Sequence, residues 1–98
     1  MDKKEAKKVI VRGDRSGVFF GTLVERKGSE VKLSNCRRLW YWDGAASISQ
    51  LAVDGTSRPS KCKFTVIVSE IEILDAIEII PCTSKAIESI ENVPVWKS

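Results

Sequence analysis

The chain has 98 residues, of which 43% are hydrophobic and 30% charged, and its formal net charge is +3. A chain of this length and composition is typical of one globular domain, and no apolar run reaches the roughly 18 residues that a membrane span needs, so we expect no membrane protein. The sequence contains no histidine. Because this removes the usual general base and the Ser-His and Cys-His nucleophile pairs, we expect no enzyme activity.

The cysteines indicate a reducing compartment. Cys36, Cys62 and Cys82 form no C-x-x-C pair and have no histidine to complete a metal site. An odd number of cysteines without an apolar secretion signal favours reduced thiols buried as small hydrophobic side chains. We therefore expect a cytoplasmic protein with no metal and no cofactor.

Charge is unevenly distributed along the chain. Residues 1–63 contain 14 lysines and arginines against 7 acids, whereas residues 64–98 contain 2 against 6. Three interpretations are open: a basic face for an anionic partner, head-to-tail contact between oppositely charged halves of two subunits, or a mixed solvated surface. Neither half is basic enough to indicate a dedicated duplex-DNA binder.

The chain begins with a lysine-rich lead-in, residues 1–8, which has no apolar periodicity, and residues 9–98 are predicted to form one domain. The β-branched run Lys8–Arg12 predicts a first strand. The glycine-containing loop 13–17 follows, with Arg12 and Arg15 placed to hold an anion. This loop lacks the G-x-x-x-x-G-K-[ST] pattern of a phosphate loop.

A β-hairpin is predicted next. Val18–Arg26 and Glu30–Ser34 read as strands, and the three residues between them include a glycine. A connection of this length suits an antiparallel hairpin. Apolar and polar residues alternate in the second of these strands, which is typical of a sheet with one solvated face.

The most unusual chemistry lies in residues 35–54, NCRRLWYWDGAASISQLAVD. Two arginines, two tryptophans and the only tyrosine fall within residues 37–42. Side chains alternate along a strand, so an extended Cys36–Trp42 places three of them on one face and three on the other. The two predicted sets are Arg38, Trp40 and Trp42, and Arg37, Leu39 and Tyr41.

One face then carries a cation beside two indoles. Indole rings stack on bases and a guanidinium binds phosphate oxygens bidentately, so this face suits a planar anionic ligand. Alternatively, the tryptophans are core or interface anchors past which the arginines extend. The candidate ligand-binding residues are Arg12, Arg15, Arg38, Trp40, Trp42, Asp43, Ser47 and Gln50, and the candidates for a structural or interface role are Arg37, Tyr41 and Trp96.

A short helix is predicted over residues 45–53, where apolar residues recur at helical spacing before a glycine. Asp43 is predicted to be its N-cap, because an aspartate carboxylate accepts amide hydrogens of the first turn. Ser47 and Gln50 then lie close to the positive end of the helix dipole, which favours anions.

The second half of the chain is predicted to alternate between β and α structure. Lys61–Ser69 and Glu70–Ile80 read as strands, with a turn or bulge near Leu74 and Asp75. Residues 83–92 predict a second helix capped by Thr83 or Ser84, and residues 93–98 an edge strand. The expected fold class is α+β: a curved, mainly antiparallel sheet of about five or six strands with two short helices.

Four segments of the chain, RRLWYWDGAASISQLA, KCKFTV, AIEIIPCT and VPVWK, resemble a family of small uncharacterised proteins of tailed phages and prophages. WYWDGAAS is the specific part, and the similarity covers most of the chain after Lys8. The resemblance implies a phage origin and action in the cytoplasm of an infected bacterial cell. It supplies no catalytic or ligand-binding motif.

We therefore expect a non-enzymatic phage protein that binds a small anionic nucleotide and sequesters a bacterial anti-phage immune signal. A homo-oligomer is expected, because a chain this small has a limited core and carries several large aromatic side chains. Two alternatives are an inhibitor that binds a host defence protein or enzyme directly, and a nucleic-acid-binding accessory protein.

Overall fold

Six β-strands form one sheet, and two α-helices pack against one of its faces. The structure is a computed structural model that describes residues 7–97. The elements are β1 (Lys8–Gly13), β2 (Val18–Lys27), β3 (Glu30–Tyr41), α1 (Ile48–Asp54), β4 (Lys63–Phe64), β5 (Val68–Ile73), β6 (Ala76–Pro81) and α2 (Ser84–Glu91). All of the strand ladders are antiparallel, so the predicted α+β class is confirmed.

The sheet is strongly curved. Its order is β6-β1-β2-β3, and β4 and β5 both pair with the other edge of β3. A turn at Leu74 and Asp75, as predicted, joins β5 directly to β6, although these strands pair with opposite ends of the sheet. The two ends can meet in so short a turn only because the sheet bends around its inner face.

Two buried clusters lie on opposite faces of this curved sheet. The inner cluster, enclosed by the bend, consists of Val9, Val11, Phe19, Val31, Leu33, Cys36 and Ile73. The helix-side cluster consists of Ile10, Phe20, Leu39, Leu51, Ala52, Cys62, Phe64, Ala86, Ile90 and Val93. Adjacent residues of β1 and β2 enter different clusters, as the alternation of side chains along a strand requires.

Strand β3 is longer than predicted. The sequence suggested a strand ending at Ser34 and a separate extended stretch from Cys36, but the structure forms one strand through both. Asn35 has φ 47°, a left-handed conformation that asparagine tolerates. This residue bends the strand without ending it, so β3 reaches from the hairpin to the aromatic residues.

Two other predicted strands differ from the structure. The predicted strand Lys61–Ser69 is wrong over most of its length, because Pro59 opens a 3-10 turn through Lys61 and only Lys63–Phe64 pairs as β4. Proline fixes φ and lacks an amide donor, which suits the first residue of such a turn. In the predicted edge strand at residues 93–98, Val95 forms a single parallel bridge to Phe64.

Helix α2 agrees closely with the prediction. Thr83 is its N-cap, and the threonine hydroxyl accepts a hydrogen bond from the Ala86 amide at 3.1 Å. Residues 1–6 of the predicted lead-in and Ser98 lie outside the described residues, while Lys8 already belongs to β1. Within residues 7–97, no helix is long and apolar enough to cross a membrane.

Candidate functional site

The two adjacent arginines of β3 lie on opposite sides of the sheet. Arg37 is 1% exposed and points to the helix side, whereas Arg38 is exposed on the other side. This is the alternation predicted for an extended strand. The two guanidinium groups therefore have entirely different surroundings.

Arg37 is enclosed by backbone carbonyl groups. Its Nε donates to Thr65 O at 2.9 Å, its Nη1 to Ile90 O and Val93 O at 3.1 Å each, and its Nη2 to Phe64 O at 3.2 Å. Burial lowers the pKa of Arg37, but guanidinium remains charged because its ordinary value is so high. Because the guanidinium is buried and donates to four backbone carbonyl groups of its own chain, Arg37 is unavailable to a ligand or a neighbouring subunit.

Arg38 faces solvent and is held by an aromatic ring. Its guanidinium carbon lies 4.8 Å from the centre of the Phe19 ring, a cation–π contact. The Arg38 backbone amide donates to Thr65 Oγ1 at 3.0 Å, which fixes the strand at this point. Arg38 also borders a shallow depression of about 450 Å³, which is lined by Arg15 and by the acidic residues Glu72 and Asp75 as well.

Two residues further along β3, Trp40 stacks on Trp96 with ring centres 5.1 Å apart and planes inclined by 23°. Lys63 Nζ lies 5.4 Å from the Trp40 ring, 5.6 Å from Trp96 and 6.0 Å from Tyr41. We call Trp40, Tyr41, Lys63 and Trp96 the aromatic cluster. All three rings are solvent-exposed, by 59%, 47% and 42% for Trp40, Tyr41 and Trp96.

Lys63 was missed by sequence reasoning. It reaches the aromatic cluster because β4 pairs with β3 in a register that places Lys63 opposite Tyr41. The run Lys61-Cys62-Lys63 was read as the start of a longer strand, and nothing local connects it to a tryptophan more than twenty residues earlier. A partial signal was the alternation of Lys61 and Lys63 with apolar residues, which indicates that both lysines are solvated.

Trp42 does not share the face of Trp40, so the prediction of three side chains in a row is wrong there. The ladder between β3 and β4 shifts register between Leu39 and Tyr41. Such a bulge interrupts the alternation of side chains. Tyr41 is consequently exposed, and Trp42 packs half-buried against the helix-side cluster.

Arg12 and Arg15 lie on the β1–β2 side of the molecule. Arg12 Nε is 2.9 Å from Glu78 Oε1, an exposed ion pair between β1 and β6. The loop between β1 and β2 already holds an anion, the chain's own Asp75. The Asp75 carboxylate accepts from the Arg15 amide at 2.7 Å, the Ser16 amide at 3.1 Å and the Ser16 hydroxyl at 2.6 Å.

These hydrogen bonds lower the pKa of the Asp75 carboxyl below its ordinary value of 3.8, with the Ser16 side chain as the largest cause. These hydrogen bonds join the β1–β2 loop to the turn between β5 and β6, and we call them the Asp75 clasp. An external anion would have to displace the Asp75 carboxylate to reach the backbone amides of Arg15 and Ser16. The Arg15 side chain, however, still borders the depression beside Arg38.

Asp43 is not the N-cap of α1, contrary to the prediction. Gly44 has φ +87° and turns the chain immediately, and Asp43 Oδ1 accepts from the Gly44 amide at 2.7 Å. Asp43 Oδ2 lies 3.4 Å from Arg58 Nη1. The carboxylate therefore stabilises the turn before the helix.

Ser47 caps α1 instead. Its hydroxyl accepts from the Gln50 amide at 3.1 Å, and Gln50 Oε1 accepts from the Ala46 amide at 2.7 Å. This reciprocal pair is close to a capping box, for which Ser47-x-x-Gln50 is the sequence signal that the Asp43 prediction overlooked. Both residues have a structural explanation at the helix start.

The thiols are poor candidates for chemistry. Burial raises the pKa of the Cys82 thiol to about 11 and also raises that of Cys36. Cys36 and Cys62 are buried, and all three cysteines are free. A thiol with a raised pKa carries little of the reactive thiolate near neutral pH.

Arg38 and the aromatic cluster together are the candidate binding surface, because they combine exposed rings with cations that form no ion pair in the described residues. Among the ion pairs of residues 7–97, none involves Arg38 or Lys63. Two cations without carboxylate partners beside exposed indoles can bind an anion and a planar group at once. In the same described part of the chain, no three His, Cys, Asp or Glu side chains come together as a metal site.

Comparison with known proteins gives one match. No curated protein and no solved structure matches the chain. Residues 6–90 match the model of a domain of unknown function, DUF6948. Because this match covers most of its length, the chain belongs to the DUF6948 family.

Proposed function

We propose that the protein is a non-enzymatic binding protein for an anionic nucleotide, which it holds on Arg38 and the aromatic cluster. The observation that carries this proposal is the juxtaposition of exposed, stacked indoles with Lys63, with Arg38 two residues before Trp40 on β3. Neither cation forms an ion pair in residues 7–97. The resemblance to phage proteins supports a role in sequestering a bacterial anti-phage immune signal inside the infected cell.

The chemistry of the surface matches the two parts of a nucleotide. An indole face that stacks on a base contributes about 1–3 kcal/mol. Arg38, two residues from Trp40 and thus roughly 7 Å away along the strand, presents a fork of donors to phosphate oxygens. Arg15 borders the same depression as Arg38, but Glu72 and Asp75 line it too, so the anion contact is assigned to Arg38 and not to net positive charge of the depression.

Self-association is part of the proposal. The aromatic cluster lies on an open surface, and ligand sites usually enclose most of the ligand. Tyr41 and Trp96 are exposed and amphipathic, which suits a subunit interface beside the ligand. Sedimentation at micromolar concentration is expected to show a dimer or larger species, and a persistent monomer contradicts this part of the proposal.

A second candidate is direct docking on a host defence protein. The observation that favours it is the openness of the surface, on which Val95, next to Trp96, is also exposed by 47%. Trp, Tyr and Arg are the residues that most often dominate protein interfaces. Retention of one host protein by the wild type, with loss of that protein in a Trp40→Ala variant, would support this candidate.

Calorimetric titration with cyclic dinucleotides, cyclic trinucleotides and ADP-ribose derivatives tests the nucleotide proposal. We expect one of these ligands to bind, and Arg38→Ala to weaken it about tenfold or more, because a charge-assisted hydrogen bond contributes about 1.5–3 kcal/mol. Arg38→Lys is expected to recover part of the affinity, since an ammonium cannot reproduce the planar fork.

Arg26→Ala is the matched control. Arg26 is an exposed arginine opposite Val31 on the same hairpin, roughly 20 Å along the strand from Arg38. Its removal changes the net charge equally and is expected to leave affinity nearly unchanged. If no ligand binds, or if the two variants behave alike, the nucleotide site is not at Arg38.

A further inference from the structure

Lys63 lies among three aromatic rings. Its Nζ is 5.4 Å from Trp40, 5.6 Å from Trp96 and 6.0 Å from Tyr41. Five other cations in residues 7–97 form ion pairs with carboxylates, whereas Lys63 forms none. The ammonium is therefore held by the negative faces of the rings, which is a weak attraction at an exposed site.

We infer that Lys63 is the residue by which the aromatic cluster distinguishes anionic from uncharged ligands, an inference that rests on the proposed nucleotide function. The ammonium lies within 6.0 Å of all three ring centres, beside the ring surfaces on which a base would stack. A phosphate offers it a charge-assisted hydrogen bond, which is stronger than a cation–π contact in water. An anionic ligand therefore draws Lys63 away from the rings and exposes their faces.

An uncharged ligand gains nothing from moving Lys63. Where it stacks on the part of the indoles that Lys63 contacts, it displaces the ammonium and replaces that contact with no ionic one. Lys63 thus favours nucleotides in two ways, by binding their phosphate and by obstructing neutral bases. Removal of the charge has opposite effects on the two ligand classes, which a residue with only a structural role does not produce.

The test is calorimetric titration of the wild type and Lys63→Met with cyclic di-AMP and ADP-ribose, each compared with adenosine. Methionine keeps an apolar stem of similar length. We expect Lys63→Met to bind the nucleotide about tenfold more weakly, as for loss of one charge-assisted contact, and to bind adenosine about threefold more tightly. Lys63→Arg is expected to keep the wild-type preference.

Lys27→Met is the control, because Lys27 is an exposed lysine at the end of β2. We expect it to leave both affinities unchanged. An adenosine affinity that does not rise in Lys63→Met overturns the inference while the nucleotide proposal stands, provided that the wild type binds nucleotide. Failure of the wild type to bind either nucleotide overturns both.

Discussion

The two faces of β3 give neighbouring arginines opposite roles. Arg37 is surrounded by four backbone carbonyl acceptors on the helix side, whereas Arg38 has a ring beneath it and solvent above. Each residue is a cation on the same strand, so residue type alone does not separate them. The difference arises because the segment at Phe64 and Thr65 and the end of α2 with Val93 cover one face of β3 at this position and leave the other open.

The largest expected effect is on the covered face. Arg37→Ala leaves the carbonyl groups of Thr65 and Val93 without this donor and removes one of the donors to those of Phe64 and Ile90. An unsatisfied buried acceptor costs about 1–3 kcal/mol. We expect a loss of about 4 kcal/mol or more in the free energy of unfolding, a large part of the 5–15 kcal/mol typical of a domain. Urea unfolding followed by circular dichroism measures it.

The matched control is Arg38→Ala, for which we expect a loss of about 1 kcal/mol or less, the strength of an exposed cation–π contact. Equal losses in the two variants would show that the covered and open faces do not differ as described. Arg37→Lys is expected to lie between wild type and Arg37→Ala, because an ammonium cannot span all four carbonyls.

On the open face, Trp40→Ala is expected to weaken nucleotide binding at least tenfold, since stacking on one ring contributes about 1–3 kcal/mol. Its effect on unfolding is expected to be about 1 kcal/mol, from loss of the stack with Trp96. Val24→Ala, an exposed apolar residue of β2, is the control and is expected to leave binding unchanged. If Trp40→Ala binds nucleotide with wild-type affinity, the Trp40 indole does not contact the ligand.

Helix α1 supplies Leu51 and Ala52 to the helix-side cluster. A replacement of its N-cap therefore changes the stability of the helix side of the sheet without altering Arg37. Ser47→Ala is expected to cost about 1 kcal/mol of unfolding free energy, as for other N-cap replacements. Nucleotide affinity is expected to stay unchanged, because Ser47 acts at the helix start. Asp43→Ala is expected to cost less than Ser47→Ala, because the Asp43 carboxylate binds the turn before the helix and not the amides of the first helical turn, and the reverse order would restore Asp43 as the cap.

The smallest expected effect concerns the clasp at Asp75. Its folded-state pKa is lowered below 3.8, so the carboxylate stabilises the fold at pH values above 3.8, and this stabilisation is lost as pH falls through the lower folded value. We expect the stability difference between wild type and Asp75→Asn to shrink as pH is lowered from about 7 to about 2. Urea unfolding at several pH values measures this difference, and a constant value contradicts the clasp.

Local patterns were sufficient to predict much of the fold. The β2–β3 hairpin, the turn at Leu74 and Asp75 and the Thr83 cap of α2 all depend on residues close in sequence. The opposite placement of Arg37 and Arg38 likewise follows from the period of a strand. These features were correct because no distant contact was needed to specify them.

The remaining features depend on distant contacts or on local exceptions. The bulge between Leu39 and Tyr41 arises from pairing with β4, so the position of Trp42 was not evident from alternation. Lys63 and Trp96 reach Trp40 only through β4 and the bridge at Val95. Asp43 was a misinterpretation of a local signal, because two residues suited for capping lie within one short stretch.

The enclosure of Arg37 has a consequence for the order of folding. Its last acceptor is Val93, 56 residues later in the chain, and Ile90 precedes it by only three. During synthesis, β1, β2 and β3 emerge from the ribosome well before any group that can satisfy this guanidinium. Contacts this distant in sequence slow folding. We therefore expect this part of the nascent chain to remain incompletely folded until Ile90 and Val93 have been translated.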